Sequence, residues 1–317
     1  MRRIFAIGET VFDIIFKNGK PAASTPGGSM LNTAVSLGRL GLDVHFVSEY
    51  GKDTVGNIVD DFLHNNGVDT AYACRYGEFP SSLALAFLDE NNNAEYSFYK
   101  RYPEKRLDLV FPELTGEDII IYGSFYSIEP DIHFRLKPFL EQAHIKNALV
   151  IYDPNFRKAH LPGMDVYRPI MIENFAYADI VKGSDEDFNH IFGARTAAEA
   201  CKHIGNTCDM LIYTANKNHV ELCMTGIHNS YPVPRITPVS TIGAGDTFNA
   251  GLIFGLVAHD IGKNELKNLN ETQRTTIIET AIRFAGHVCM LYDNYISPEF
   301  AANERYEMHP FSFAISK

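Results

Sequence analysis

Ser240-Thr241-Ile242-Gly243-Ala244-Gly245-Asp246-Thr247-Phe248-Asn249-Ala250-Gly251 decides how the rest of this sequence is read. Its small residues let a backbone approach a ligand closely. Residues 247–258 are apolar enough to form a buried helix. A glycine-rich turn feeding a helix presents N–H groups without partners and the positive end of the helix dipole, and both suit phosphate. Asp246 then needs an explanation, because a carboxylate repels phosphates. General-base work supplies one: it accepts the proton of an attacking hydroxyl. Three plainer readings compete. The glycines can form a tight turn with Asp246 as an ordinary N-cap. A dinucleotide-binding loop wants Gly or Ala at its sixth position and an early place in the chain, whereas Phe248 stands there and the turn comes late. A P-loop is excluded, since the chain contains no G-x-x-x-x-G-K-[ST].

A second glycine site precedes it. Gly27-Gly28-Ser29-Met30-Leu31-Asn32-Thr33-Ala34 follows Pro26 and opens another helix. Asn32, near its first turn, offers both a donor and an acceptor, as polyol recognition requires. Asp13, just after the first strand, is an acceptor-only carboxylate for hydroxyl groups. Taken singly, Asn32 reads as a helix-end residue and Asp13 as a surface residue.

Outward from these sites, short apolar runs alternate with longer helical patterns. Residues 4–7, 44–47, 119–122, 148–152, 180–181 and 210–213 read as strands, several apolar almost throughout, as strands covered on both faces are. Residues 31–40, 55–65, 130–144 and 197–204 read as helices. The expected fold is α/β, a mostly parallel central sheet with helices on both faces. Residues 11–16 and 20–25, around Asn18-Gly19, signal a hairpin, and residues 82–88 and 94–99 a second one. These four strands are read as a small inserted β-sheet acting as a lid, with edge hairpins of no mobile role as the alternative. The expected organisation is one domain, residues 1–317, with lid strands from about 11–26 and 82–100.

The 317 residues allow a sizeable core, and a formal net charge of -11 makes nucleic acid or an anionic membrane a poor partner. The five cysteines are scattered without C-x-x-C spacing, which points to reduced thiols rather than a disulfide scaffold or zinc ribbon. Residues 1–8 imitate a secretory signal briefly, but Glu9 and Asp13 interrupt it. The most apolar helix candidate, residues 250–258, is too short for a membrane span. A cytoplasmic location is expected.

Gly27-Gly28 with Asn32, Ala34, Leu37 and Leu40-Gly41 resembles the N-terminal signature of the ribokinase-like (PfkB) carbohydrate kinases, and Gly243-Ala244-Gly245-Asp246-Thr247-Phe248 resembles their C-terminal signature. The resemblance covers essentially the whole chain and lies nearest the fructokinase and 2-keto-3-deoxygluconate kinase branches. It implies a kinase that uses ATP with Mg²⁺ to phosphorylate a sugar or sugar-acid hydroxyl. Asp246 takes the place of the catalytic base, and the N–H groups of Gly243, Ala244 and Gly245 that of the anion hole. Asp13, Gly28 and Asn32 match sugar-hydroxyl ligands. Asp153-Pro154-Asn155-Phe156-Arg157 resembles a D-x-N-x-R element, so that Asn155 and Arg157 face the substrate. Phe98-Tyr99-Lys100-Arg101 resembles the lid end that covers the sugar, with Arg101 its basic residue. Lys182, Ser184, Thr214 and Asn216 fall on the nucleotide side, and Asp187 matches a carboxylate that reaches Mg²⁺ through water. Lid strands in such kinases pair across a homodimer.

This sequence also departs from the pattern. Ser184 and Asp187 replace the Asn and Glu of N-x-x-E, and Asn216 and His219 replace glycines. Ser240 and Ile242 stand where a monovalent-cation site has its Asp and loop, which weighs against such a site. Gly286-His287 lacks the expected A-N-A. These departures keep two alternatives open: a catalytically weak regulatory protein that binds sugar or nucleotide, and a nucleoside kinase.

Overall fold

The structure is a computed structural model that describes residues 2–89, 94–205, 207–215 and 218–308. The chain begins with β1 (Arg3–Ile7), whose side chains alternate between two cores: Ile4 and Ala6 enter one, Phe5 and Ile7 the other. It continues through β2 (Val11–Lys17), β3 (Lys20–Gly27), α1 (Ser29–Arg39), β4 (Asp43–Gly51), α2 (Thr54–Asn65), β5 (Val68–Asp69), β6 (Ala73–Tyr76), β7 (Leu83–Leu88), β8 (Ala94–Tyr99) and β9 (Ile119–Gly123). Then follow α3 (Pro130–Lys146), β10 (Leu149–Asp153), α4 (Met164–Tyr177), β11 (Ile180–Ser184), α5 (Asp185–Phe192), α6 (Ala197–Ile204), β12 (Met210–Ala215), β13 (His219–Met224) and β14 (Ile227–Pro232). The last elements are α7 (Ala244–Ala258), the single turn α8 (Lys263–Leu266), α9 (Glu271–Cys289) and α10 (Pro298–Met308).

The large sheet runs β14-β13-β12-β11-β10-β9-β1-β4-β5, with β6 also paired to β4. All neighbours from β12 to β5 are parallel. Burial on both faces explains their apolar character, and the period of two splits each strand between the cores. Ile119, Ile121, Leu149 and Ile151 join α1, α7 and α9 on one side; Ile120, Tyr122, Val150 and Tyr152 join α3, α4, α5 and α6 on the other. The central strands and helices stand where the sequence pattern put them. The antiparallel edge β13–β14 was not anticipated. Its alternation of exposed and buried residues lacks the continuous apolar run of a central strand. Among the described residues, no helix is long and apolar enough to cross a membrane.

The inserted strands form a separate four-stranded sheet, β3-β2-β7-β8. Asn18 and Gly19 both take positive φ (53° and 72°), the geometry of a two-residue hairpin turn. A parallel pairing of β2 with β7 joins the two hairpins into one sheet. Residues 90–93, at the turn of the second hairpin, lie outside the described residues.

Candidate active site

Two helix N-termini meet at the C-terminal edge of the large sheet. α1 starts after Gly28, whose φ is 135° and where a Cβ would stand 2.2 Å from the Glu9 carbonyl oxygen. α7 starts after Gly243, with φ 81°, where a Cβ would meet the Asn294 carbonyl oxygen at 2.5 Å. Only glycine fits either position, which is why both motifs are glycine-rich. Ala244, Gly245 and Asp246 occupy the first turn of α7, where an α-helix provides no acceptor for its N–H groups.

Asp246 faces α1. Its carboxylate accepts from Ser29 Oγ at 2.6 Å and Asn32 Nδ2 at 2.8 Å, while Thr33 Oγ1 donates to its carbonyl oxygen at 2.9 Å. Loss of water raises the Asp246 pKa above the usual carboxylate value, and the bonds from Asn32 and Ser29 offset only part of that. Because a carboxylate only accepts, Asn32 must turn its amide nitrogen toward Asp246. Its buried Oδ1 is then left without a protein partner.

Behind Gly245 lies Lys182, its Nζ 3.1 Å from where a Gly245 Cβ would be. Lys182 Nζ donates to Asp153 Oδ2 at 2.9 Å, and Asn249 Nδ2 donates to the same oxygen at 2.7 Å. Burial lowers the Lys182 pKa, but the attraction of Asp153 more than restores it, so the ammonium stays charged. Asp187 lies alongside. Its oxygens accept from Phe156 N at 2.6 Å and from Ser184 N and Oγ, both at 2.7 Å. Ser184 caps α5 and Asp187 closes the capping box. Burial, then the charge of Asp153, raises the Asp187 pKa. With three donors already on it, this carboxylate suits a hydrated cation better than a directly ligated one.

The small sheet brings Asp13 over this edge. A Cβ on Gly27 would lie 2.0 Å from Asp13 Oδ2, so glycine makes the room that the carboxylate occupies. Burial pushes Asp13 up to about 6. The strand register aligns Asp13 with Ala84 and Ala84 with Phe98, and Tyr96 lies two residues from Phe98 on the same face. Tyr96 stacks on Phe98 at 5.8 Å and feels the charges of both Asp13 and Arg157. Arg157 is exposed, reaching up from beyond β10. Asn155 sits in a positive-φ turn (38°) with its N–H on Asp153 Oδ1 at 3.2 Å.

Arg101 stands apart, its guanidinium over the Phe79 ring at 5.3 Å near the root of the small sheet. Thr214, one residue from the end of β12, stands opposite Ser184, its hydroxyl 3.4 Å from the Gly183 carbonyl. Asn216 lies outside the described residues. Sequence reading missed Ser29, Asn249 and Tyr96. Asn249 falls three residues after Asp246 on the same helix and Tyr96 alternates with Phe98, so both carried a spacing signal; Ser29, directly after Gly28, carried only the ordinary signal of a helix start.

A family model described as pfkB family carbohydrate kinase matches residues 1–291. The chain is 28% identical over 270 residues to a fructokinase of Klebsiella pneumoniae, covering 83% of this chain and 87% of that protein. It is 28% identical to fructokinase-1 of Oryza sativa subsp. japonica, covering 87% of this chain and 85% of that one. Among solved structures, a Vibrio cholerae fructokinase double mutant bound to fructose, ADP and potassium ion superposes with a TM-score of 0.82, at 18% identity over 94% of this chain and 95% of its own. A Xylella fastidiosa fructokinase with bound ATP superposes with a TM-score of 0.79, at 23% identity over 97% and 98%. These superpositions show that the chain shares their fold.

Proposed function

The chain belongs to the pfkB family of carbohydrate kinases, and from that premise we propose that it transfers the terminal phosphoryl group of ATP to a hydroxyl of a small sugar, with fructose the acceptor to test first. The observation that carries this reading is Asp246, a part-buried carboxylate held by Ser29 and Asn32 in the first turn of α7 beside N–H groups that lack helical acceptors. Asp246 takes the proton of the sugar hydroxyl, and the N–H groups of Gly243, Ala244 and Gly245 receive the transferred phosphoryl group. Asp13, Gly28 and Asn32 line the sugar side, with the unpartnered Asn32 Oδ1 open to a hydroxyl donor. Asn155 and Arg157 approach from the β10 end, while Arg101, over the Phe79 ring near the root of the small sheet, stands back from it. Lys182, Ser184, Thr214 and Asn216 serve the nucleotide side. Mg²⁺ bound with ATP would neutralise charge on the phosphates, and Asp187 would hold it through water. The named relatives are fructokinases, which supports testing fructose ahead of other acceptors. Pairing of two chains through the lid belongs to the same reading and is supported by Phe87 and Tyr99, exposed to 41% and 61% on its strands; sedimentation at graded concentration tests it.

ATP turnover over a panel of ketoses, aldoses, sugar acids and nucleosides tests the function. Turnover is expected with a ketohexose, and silence across the panel overturns the reading. Asp246→Asn is expected to lower kcat by about 10²–10⁴-fold, the usual contribution of a general base. Unchanged turnover with an unchanged pH profile removes Asp246 from that role.

A further inference from the structure

Far from the site, at the opposite end of β12, three thiols line one solvent-open cavity of about 200 Å³: Cys201, Cys208 and Cys223. Cys201 comes from α6 and Cys223 from β13, two elements that pack on each other. Both side chains face the same cavity, and both residues are half-buried rather than sealed. The third thiol is occupied differently. Cys208 donates to the Met210 carbonyl at 3.4 Å. We propose that Cys201 and Cys223 form a peroxide-responsive thiol pair, a modification site that closes to an intramolecular disulfide between α6 and β13.

The division of labour follows from surroundings. The neighbouring Cys223 thiol lowers the Cys201 pKa against the opposing effect of burial, so Cys201 is the more readily ionised thiol and Cys223 keeps its proton. Burial pushes Cys208 up to about 12, leaving it a poor nucleophile. Across the β13–β14 pairing, Cys223 stands opposite His228. In the first step the Cys201 sulfur gives an electron pair to one oxygen of a hydroperoxide. An S–O bond forms, the O–O bond breaks, and hydroxide leaves. In the second step the Cys223 sulfur attacks, an S–S bond forms, the S–O bond breaks, and the departing hydroxide takes the Cys223 proton as water. Two thiols and one hydrogen peroxide become one disulfide and two waters; the sulfurs are oxidised and the peroxide oxygens reduced. The shared cavity leaves the two sulfurs room to draw in to the disulfide length of about 2.05 Å.

The test uses the full chain, treated with hydrogen peroxide, alkylated and mapped by peptide mass. The expected product is a Cys201–Cys223 cross-linked peptide lighter than its two parts by two hydrogen atoms, reversed by dithiothreitol, with Cys74, Cys208 and Cys289 still alkylated. In Cys223→Ser, dimedone is expected to label Cys201, because the sulfenic acid has no partner to resolve it. Should that variant not fold, the wild-type map decides alone. Full alkylation of Cys201 and Cys223 after peroxide, or a bond involving Cys208, overturns the proposal.

Discussion

Asp246 holds two donors, and its neighbours set its proton affinity. The Ser29 hydroxyl stabilises the charged form, so Ser29→Ala raises the Asp246 pKa. A hydrogen bond to a charged group contributes about 1.5–3 kcal/mol and one pH unit corresponds to about 1.4 kcal/mol. Allowing for a replacement water, the acid limb of kcat/KM is expected about one unit higher in the variant, with a smaller change on the plateau. A limb that stays in place separates Ser29 from Asp246. Asp13 shows the opposite balance between function and stability. Its pKa rises from 3.8 to about 6 on folding, because burial disfavours its charge. The folded state therefore binds the proton more tightly, and stability falls as pH rises from the lower value through the higher one. Asp13→Asn is expected to stabilise the protein in urea at pH 7, less so at pH 5, while raising the sugar KM. Asp246 and Asn32 were legible because each sits in a glycine-marked turn. Ser29 was not, because a serine at a helix start has an ordinary capping meaning and no local pattern reveals that α1 and α7 meet.

At the scale of elements, the small sheet depends on its root. Lys100 Nζ and Tyr102 OH both donate to Glu9, at 2.5 and 2.9 Å, and Ser82 Oγ donates to Tyr102 OH at 3.0 Å. Tyr102 lies under the Arg106 guanidinium at 3.7 Å, and Arg106 in turn pairs with Glu49 at the end of β4 and Glu129 before α3. The return from β8 is thus pinned to β1, β4 and α3 together. Glu9→Gln weakens the pin without entering the site, so the sugar KM is expected to rise several-fold while kcat changes little. An equal fall in kcat would place Glu9 in the chemistry instead. Arg106→Met strands Glu49, whose side chain is only 1% exposed. Breaking a buried pair on one side costs about 3–5 kcal/mol, measurable as a lower urea midpoint. The central strands could be read from sequence because burial on both faces demands unbroken apolar runs. Arg106 could not, since Pro103-Glu104-Lys105-Arg106 reads as a solvated charged loop. The parallel β2–β7 pairing was equally hidden, because it depends on a contact some seventy residues apart rather than on either hairpin.

Across the whole molecule, a net charge of -11 opposes the approach of ATP, itself an anion. The site does little to reverse this at long range. The positive charge of Lys182 is matched by Asp153 at 2.9 Å, and Asp187 and Asp246 add two more carboxylates. What remains for the nucleotide is the pair of helix N-termini, whose fields fall off within a turn. Salt therefore acts first on the repulsion. Raising ionic strength toward about 0.1 M shortens the Debye length to about 10 Å, which hides the distant carboxylates while leaving contacts inside the site largely intact. The kcat/KM for ATP is expected to rise a few-fold over that range and to level off beyond it. A neutral sugar feels no such repulsion, so its kcat/KM, measured at saturating ATP, is expected to stay flat. A sugar acid is repelled as ATP is, and its kcat/KM is expected to climb with salt. The two acceptors thus report on different parts of the field within one experiment. A steady fall for ATP from the lowest salt upward would mean that the helix ends and the exposed Arg157 dominate, and that the global charge is screened from the site by the fold itself.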